Sequence, residues 1–325
     1  MRVASIVTHI TVVVVISGFP LPTRAQEWSG YVAIETRGFF SPPPLDSQPR
    51  VVVSLAAQPE YYRAWGKQSI LVVPFVRLDS ADPERTHADI REAIWRAFSD
   101  RWELRAGVGK VFWGVAESQH LVDIINQTDF VENIDTEDKL GQPMVNLALI
   151  RDWGNVDFFV LPGFRERTFP GEEGRFRLPL RVATELSQFE SSSGKRHIDL
   201  AARWSRFVGD WDLGLSHFYG TGREPDLIES VDEGGETVLI PRYLIIHQTG
   251  LDVQATKGGW LWKLEAIHRS GQGDRFSAFA GGFEYTFSNV RNSGFDIGLL
   301  AEYLFDERGE RSEEHTSELQ SHVRI

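Results

Sequence analysis

From Trp28 onward the chain repeats one unit: a strand-length run of alternating side chains followed by a connection, with long and short connections taking turns. Trp211, Leu213 and Leu215 face one way and Asp212, Gly214 and Ser216 the other; Phe295, Ile297, Leu299, Ala301 and Tyr303 oppose Asp296, Gly298, Leu300 and Glu302. Successive residues of a strand point to opposite faces, so such runs read as strands with one apolar and one polar side. The long connections are 41–49, 79–86, 113–143, 166–196 and 221–244, and short turns such as Val208-Gly209-Asp210 and Lys257-Gly258-Gly259 fall between them. A sandwich has no reason to keep that parity, whereas an up-and-down barrel has short turns at one rim and long loops at the other. The expectation is an all-β fold: a transmembrane antiparallel up-and-down β-barrel. Segment 87–98 fits a helix as well as a strand by its period, and its neighbours favour a strand.

The parity gives about thirteen strands with the last running outward. A closed single-chain bacterial barrel has an even number, so at least one more strand is expected and the barrel reads as C-terminally truncated. Residues 311–325, which include SEEHTSELQS, resemble the translation of a sequencing-library adapter and are expected to be non-native. At the other end, Arg2, the apolar run 10–16 and Thr23-Arg24-Ala25 form the three-part pattern of a secretory signal peptide over residues 1–25. Residues 26–310 are then the barrel, exported through the periplasm to the outer membrane.

One stretch breaks the pattern. Residues 113–144 keep neither period 2 nor a helical period, and they extend over about 30 residues where a connection typically has about 4–6. Leu121, Val122, Ile124, Ile125, Phe130 and Val131 are too many large apolar groups for a solvated tail. This loop is expected to fold into the barrel and narrow it. Its candidate constriction residues are Asp123, Asn126, Gln127, Asp129, Glu132 and Asp135. The facing wall is expected to present Arg101, Arg105, Arg151, Arg165 and Arg203, with Glu103, Asp157, Asp212, Asp252, Lys263 and Glu265 among the other polar-face residues. Loop carboxylates paired with Arg105, Arg151 and Arg203 would pin the loop across the lumen, where a low dielectric strengthens attraction. A solvated acidic loop is the plainer alternative, and the carboxylate spacing matches no calcium loop.

Eight tryptophans (Trp28, Trp95, Trp102, Trp153, Trp204, Trp211, Trp260 and Trp262) sit near expected strand ends, as in the aromatic girdles of membrane barrels; core tryptophans of a soluble β-protein are the alternative. The stretches KVFWGVAES, LVDIINQTDFVENID, KLGQPM, LPGFRERTFPG, HIDLAARWS and GLLAEYLFDERG resemble a poorly characterised group of porin-like outer-membrane proteins of Gram-negative bacteria. The resemblance implies a membrane barrel and no particular substrate.

The function expected is passive diffusion of small hydrophilic solutes, polar or ionic, with outer-membrane lipid around the barrel and a homo-oligomer possible. A barrel of a polymer or lipid export system and an outer-membrane hydrolase are the alternatives. HExxH, P-loop and GxSxG motifs are absent, and His217 and His247 fall on the expected lipid face with no serine beside them, so no enzyme is expected. With zero cysteines there is neither a disulfide framework nor a thiolate metal site, and no metal or cofactor is expected. The formal charge of -12 argues against a nucleic-acid partner that would need a broad basic surface.

Overall fold

The alternating runs become strands whose order in the sheet is their order in the chain. The structure, a computed structural model, describes residues 7–15, by their backbone course, and 26–311. Strands are β1 (Val7–Val15), β2 (Gln26–Phe39), β3 (Val51–Trp65), β4 (Gln68–Asp79), β5 (His87–Ser99), β6 (Trp102–Gly109), β7 (Gln142–Arg151), β8 (Gly154–Pro162), β9 (Arg181–Val182), β10 (Gln188–Phe189), β11 (Ile198–Val208), β12 (Trp211–Thr221), β13 (Asp226–Val231), β14 (Thr237–Tyr243), β15 (Ile245–Lys257), β16 (Trp260–Gly271), β17 (Gly273–Phe287) and β18 (Ile297–Asp306). Fourteen of them form one sheet, in the order β1-β2-β3-β4-β5-β6-β7-β8-β11-β12-β15-β16-β17-β18, and every ladder in it is antiparallel. The architecture is the expected all-β up-and-down barrel, and its strands from β2 onward number thirteen. The remaining four strands make a small second sheet from the two longest rim connections after the in-folded one.

Residues 87–98, ambiguous by period, lie within a strand. β1 pairs with β2 from Val7↔Phe39 to Val15↔Tyr31, so part of the expected signal segment is laid along the sheet; residues 1–6, 16–25 and 312–325 lie outside the described ones. Two further connections are tight turns. β3 runs on through Tyr61, Tyr62 and Trp65, strand-favouring residues paired with Val72, Leu71 and Gln68, so that only Gly66 and Lys67 join it to β4. β16 and β17 are joined by Gln272 alone, between Gly271 and Gly273 at φ 103° and 69°. At the short rim Gly258 and Gly259 both take positive φ, 58° and 85°, the requirement of a two-residue primed hairpin turn.

The two faces of the sheet differ in chemistry. Outward stand exposed Val32, Ile34, Val53, Leu55, Leu147, Val160, Leu200, Leu215, Leu251 and Leu264, while inward on the same strands are buried Glu35, Arg37, Ser54, Asn146, Asp199, Ser216, Asp252 and Glu265. Among the described residues no helix is long and apolar enough to cross a membrane, which leaves spanning by strands untouched. The interior is filled in part by the long loop: Trp113, Val122, Ile124 and Ile125 join Met144, Phe159, Leu161, Phe218, Ile246 and Ile267 in one buried apolar cluster.

Candidate constriction site

The loop between β6 and β7 enters the barrel because its own backbone groups find partners there. Asn126 clamps its two ends: its Oδ1 accepts from the Val111 N–H at 2.8 Å, and its Nδ2 donates to the carbonyls of Gly109 and Leu140 at 2.9 and 2.8 Å. Two cross-loop bonds, Asp129 N–H to Asp138 O at 2.7 Å and Leu140 N–H to Gln127 O at 2.8 Å, close the segment into a tongue. A buried irregular backbone needs every such bond satisfied.

The wall supplies the rest. Glu265 on β16, fully buried, accepts the N–H groups of Val115 (2.7 Å), Ala116 (2.8 Å) and Val122 (3.1 Å). Gly114 lies so close that a Cβ there would stand 2.8 Å from Glu265 Oε1, at a φ of 139°, so the approach demands glycine. Glu302 on β18 accepts from the N–H groups of Glu117 and Ser118 at 2.8 and 2.7 Å. On the opposite side Arg77 on β4 meets Glu132, Arg91 on β5 donates to Asp129 at 2.5 Å, and Arg37 on β2 donates to the Glu132 carbonyl at 3.1 Å. The tongue therefore touches strands near both ends of the sheet order, and the sheet must curl around it.

The expected loop residues are brought together, with different tasks. Asp129 and Glu132 pin the tongue to the wall, and Asp123 is buried between Lys139 (3.3 Å) and the Trp113 N–H (3.3 Å). Gln127 is buried and accepts from its neighbour's N–H at 3.0 Å, with Arg167 Nε at 3.5 Å. Asp135 is exposed and bonds within the tongue to Asn133 and to the Glu137 N–H, so it pins nothing to the wall.

The expected wall arginines need correcting. Arg101 lies in the turn between β5 and β6, and Arg151 ends β7, donating to the carbonyls of Arg101 and Ile150 at 2.7 Å; both are exposed at the short-turn rim. Arg105 pairs with Glu103 at 2.5 Å, and Arg165 with Asp89 at 2.7 Å. Arg203 forks onto Asp252 at 2.5 and 2.7 Å and stacks 5.5 Å over the Trp113 ring, meeting the loop through an aromatic face and no carboxylate. The carboxylates of the tongue are held instead by Arg77, Arg91, Lys139 and Lys263.

Two of those partners, Arg77 and Arg91, lie in a charged cluster that the sequence expectation missed, in which Arg85 reaches Glu35 (2.9 Å) and Asp79 (2.7 Å) and also donates to the Val131 carbonyl at 3.1 Å. Arg77 shares the inward parity of Val73 and Phe75, which was the available signal, but a bulge between Val73 and Pro74 disturbs the alternation across β4 and β5. His87 also faces the cluster, its Nε2 3.8 Å from Asp129 and 3.5 Å from Glu132, and the three could offer one ligand each to a cation. Arg77 and Arg91 already occupy those carboxylates, so the donor set carries little uncompensated negative charge for a metal.

Two cavities with mainly polar lining flank the tongue. A vestibule of about 580 Å³ at the long-loop rim is lined by Glu84, His87, Asp89, Arg165, Glu172 and Arg181 among others. An inner chamber of about 210 Å³ lies between the tongue and β16–β18, lined by Asp123, Asn126, Lys139, Arg223, Arg269 and Arg308 among others. Arg167 lines both. Burial pulls its guanidinium below the ordinary value, with Glu224 opposing, although an arginine stays charged. On the outward face His217 Nδ1 lies 2.9 Å from the Thr249 hydroxyl, and its ring is 6.0 Å from that of His247. Set beside known proteins, the chain matches no family model and no curated protein.

Proposed function

We propose that the chain is the barrel of an outer-membrane channel of Gram-negative type, passing small hydrophilic solutes by diffusion and narrowed by the tongue formed from residues 110–141. The observation that carries this reading is the buried carboxylate of Glu265 holding three tongue N–H groups inside a barrel whose outer face is apolar. An apolar exterior belongs in hydrocarbon, and a tongue fixed to both walls leaves passage only through the polar spaces beside it. The vestibule and the inner chamber are those spaces.

A diffusion channel needs polar lining without a deep binding trap, since a solute must leave as readily as it enters. The chamber wall meets that demand by pairing most of its charges, Lys139 with Asp123, Arg269 with Glu224 and Arg308 with Asp306. The protein should fractionate with outer membranes, run faster on SDS gels before boiling than after, and give discrete conductance steps in planar bilayers. A soluble periplasmic product without a heat-dependent gel shift would refute the reading.

A further inference from the structure

The charges around the tongue are matched almost throughout, and Arg167 breaks the rule. Its side chain takes part in no ion pair among the described residues; its Nε lies 3.5 Å from Gln127 Oε1, a weak contact, and its two terminal nitrogens have no bonded partner there. The residue is held in place by its backbone, whose N–H donates to the Tyr243 hydroxyl at 3.1 Å. It stands where the vestibule meets the inner chamber.

A second group points the same way. Arg223 is 4% exposed and spends Nη1 on Asp199 (2.7 Å) and the Thr221 carbonyl (2.7 Å) and Nε on the Ile125 carbonyl (3.1 Å), yet its Nη2 is buried without a partner. Its guanidinium packs 5.3 Å from the Phe164 ring, which lies 4.9 Å from that of Tyr243. Both arginines thus border one space beside one aromatic pair, and Arg269 lines it too. A buried donor without an acceptor costs about 1–3 kcal/mol, more when charged. Arg223 Nη2 is such a donor, and the half-buried, unpaired guanidinium of Arg167 lines the same chamber, so the two together suit an acceptor from outside the chain.

We infer that Arg167, with Arg223 behind it, forms a binding site for a small oxyanion, a carboxylate or a phosphate, at the junction of vestibule and chamber. The planar fork of arginine matches two oxygens of either group. Glu224, which approaches Arg269 at 3.4 Å from an exposed position and whose charge acts on Arg167, competes with the anion. As a solute site it deepens the channel reading, on which it rests for its role but not for its binding.

The test is calorimetry on the detergent-solubilised protein with succinate and with inorganic phosphate as separate ligands. The wild-type protein should bind at least one of them, and the arm that responds identifies the anion. R167Q should weaken binding by about tenfold, the loss expected of one charge-assisted contact, while R206Q on the exposed end of β11 should leave it unchanged. E224Q, at a site whose exposure spares the fold, should tighten binding by removing the competitor. Absence of binding for both ligands in the wild type, or equal binding by wild type, R167Q and E224Q, would overturn the site. Conductance measured on the same preparation separates the two readings: binding without conductance leaves the site and removes the channel.

Discussion

Arg77 on β4 and Glu132 in the tongue are bound through three contacts: Arg77 Nε lies 2.9 Å from each Glu132 carboxylate oxygen and Nη2 lies 2.6 Å from Oε2, with both side chains buried. The fork crosses from the wall to the tongue. Breaking a buried pair from one side leaves the other charge uncompensated, at a cost of about 3–5 kcal/mol. Arg77 keeps Glu35 at 3.2 Å and the Ser54 hydroxyl at 2.7 Å, which softens the loss. E132A should therefore cost about 3 kcal/mol of tongue docking, read as raised amide exchange over residues 128–138 with the strands unaffected. Unchanged exchange would show that the fork does not anchor the tongue.

Glu265 is the corresponding anchor on β16. E265A removes one acceptor from three buried N–H groups and should destabilise the tongue by about 3 kcal/mol or more. E265Q keeps the shape and one carbonyl oxygen, so it should fall between wild type and E265A in urea unfolding of the protein in micelles. Equal stability of all three would place the tongue's hold elsewhere.

Val122 and Gly250 give a direct check of where the tongue lies. A Cβ placed on Gly250 of β15 would stand 3.3 Å from Val122 Cβ, close to the separation of about 3.5–4.5 Å across a disulfide. The chain has no cysteine of its own, so the V122C/G250C pair has no competing thiol. Mild oxidation should cross-link it and remove both thiols from reaction with maleimide. Two freely reactive thiols after oxidation would put the tongue outside the barrel.

Asp82, in the rim connection after β4, accepts the Gly171 N–H at 3.1 Å and the Glu84 N–H at 3.0 Å, joining two long rim loops. Burial raises its pKa above the ordinary carboxylate value, with the two N–H bonds opposing. A carboxyl whose folded pKa lies above its unfolded value favours the folded state most below the unfolded value of about 3.9 and loses that contribution as pH rises through the folded one. Rim-loop protection at Gly171, corrected for the intrinsic exchange rate, should fall as pH rises through the acid range, and D82N should flatten the slope. A slope that persists in D82N would assign it to another group.

Much of this architecture is legible in the sequence, because period 2 and the parity of connections are local signals. The alternation from Ile297 to Tyr303 lies in β18 for that reason, whereas segment 87–98, ambiguous by its own period, was readable as a strand only from its neighbours. The tongue was legible as a break in those signals; of its residues Asn126, Gln127, Asp129 and Glu132 are buried, as is the Asp123 carboxylate. Which wall residues meet them was not legible, since that depends on how far each strand is staggered against its neighbours and on the bulge at Val73/Pro74. Arg101 and Arg151 have the right chemistry and lie at the wrong height, in and beside short-rim turns. The junction arginine, Arg167, lies in a connection where no period assigns a face at all.

The central claim is that the tongue narrows the passage. Replacing residues 118–140 by a short flexible linker and measuring single-channel conductance in planar bilayers tests it most directly. The account predicts larger conductance steps than wild type from a protein that still inserts and still shows the heat-dependent gel shift. Steps of unchanged size from such a protein would contradict it.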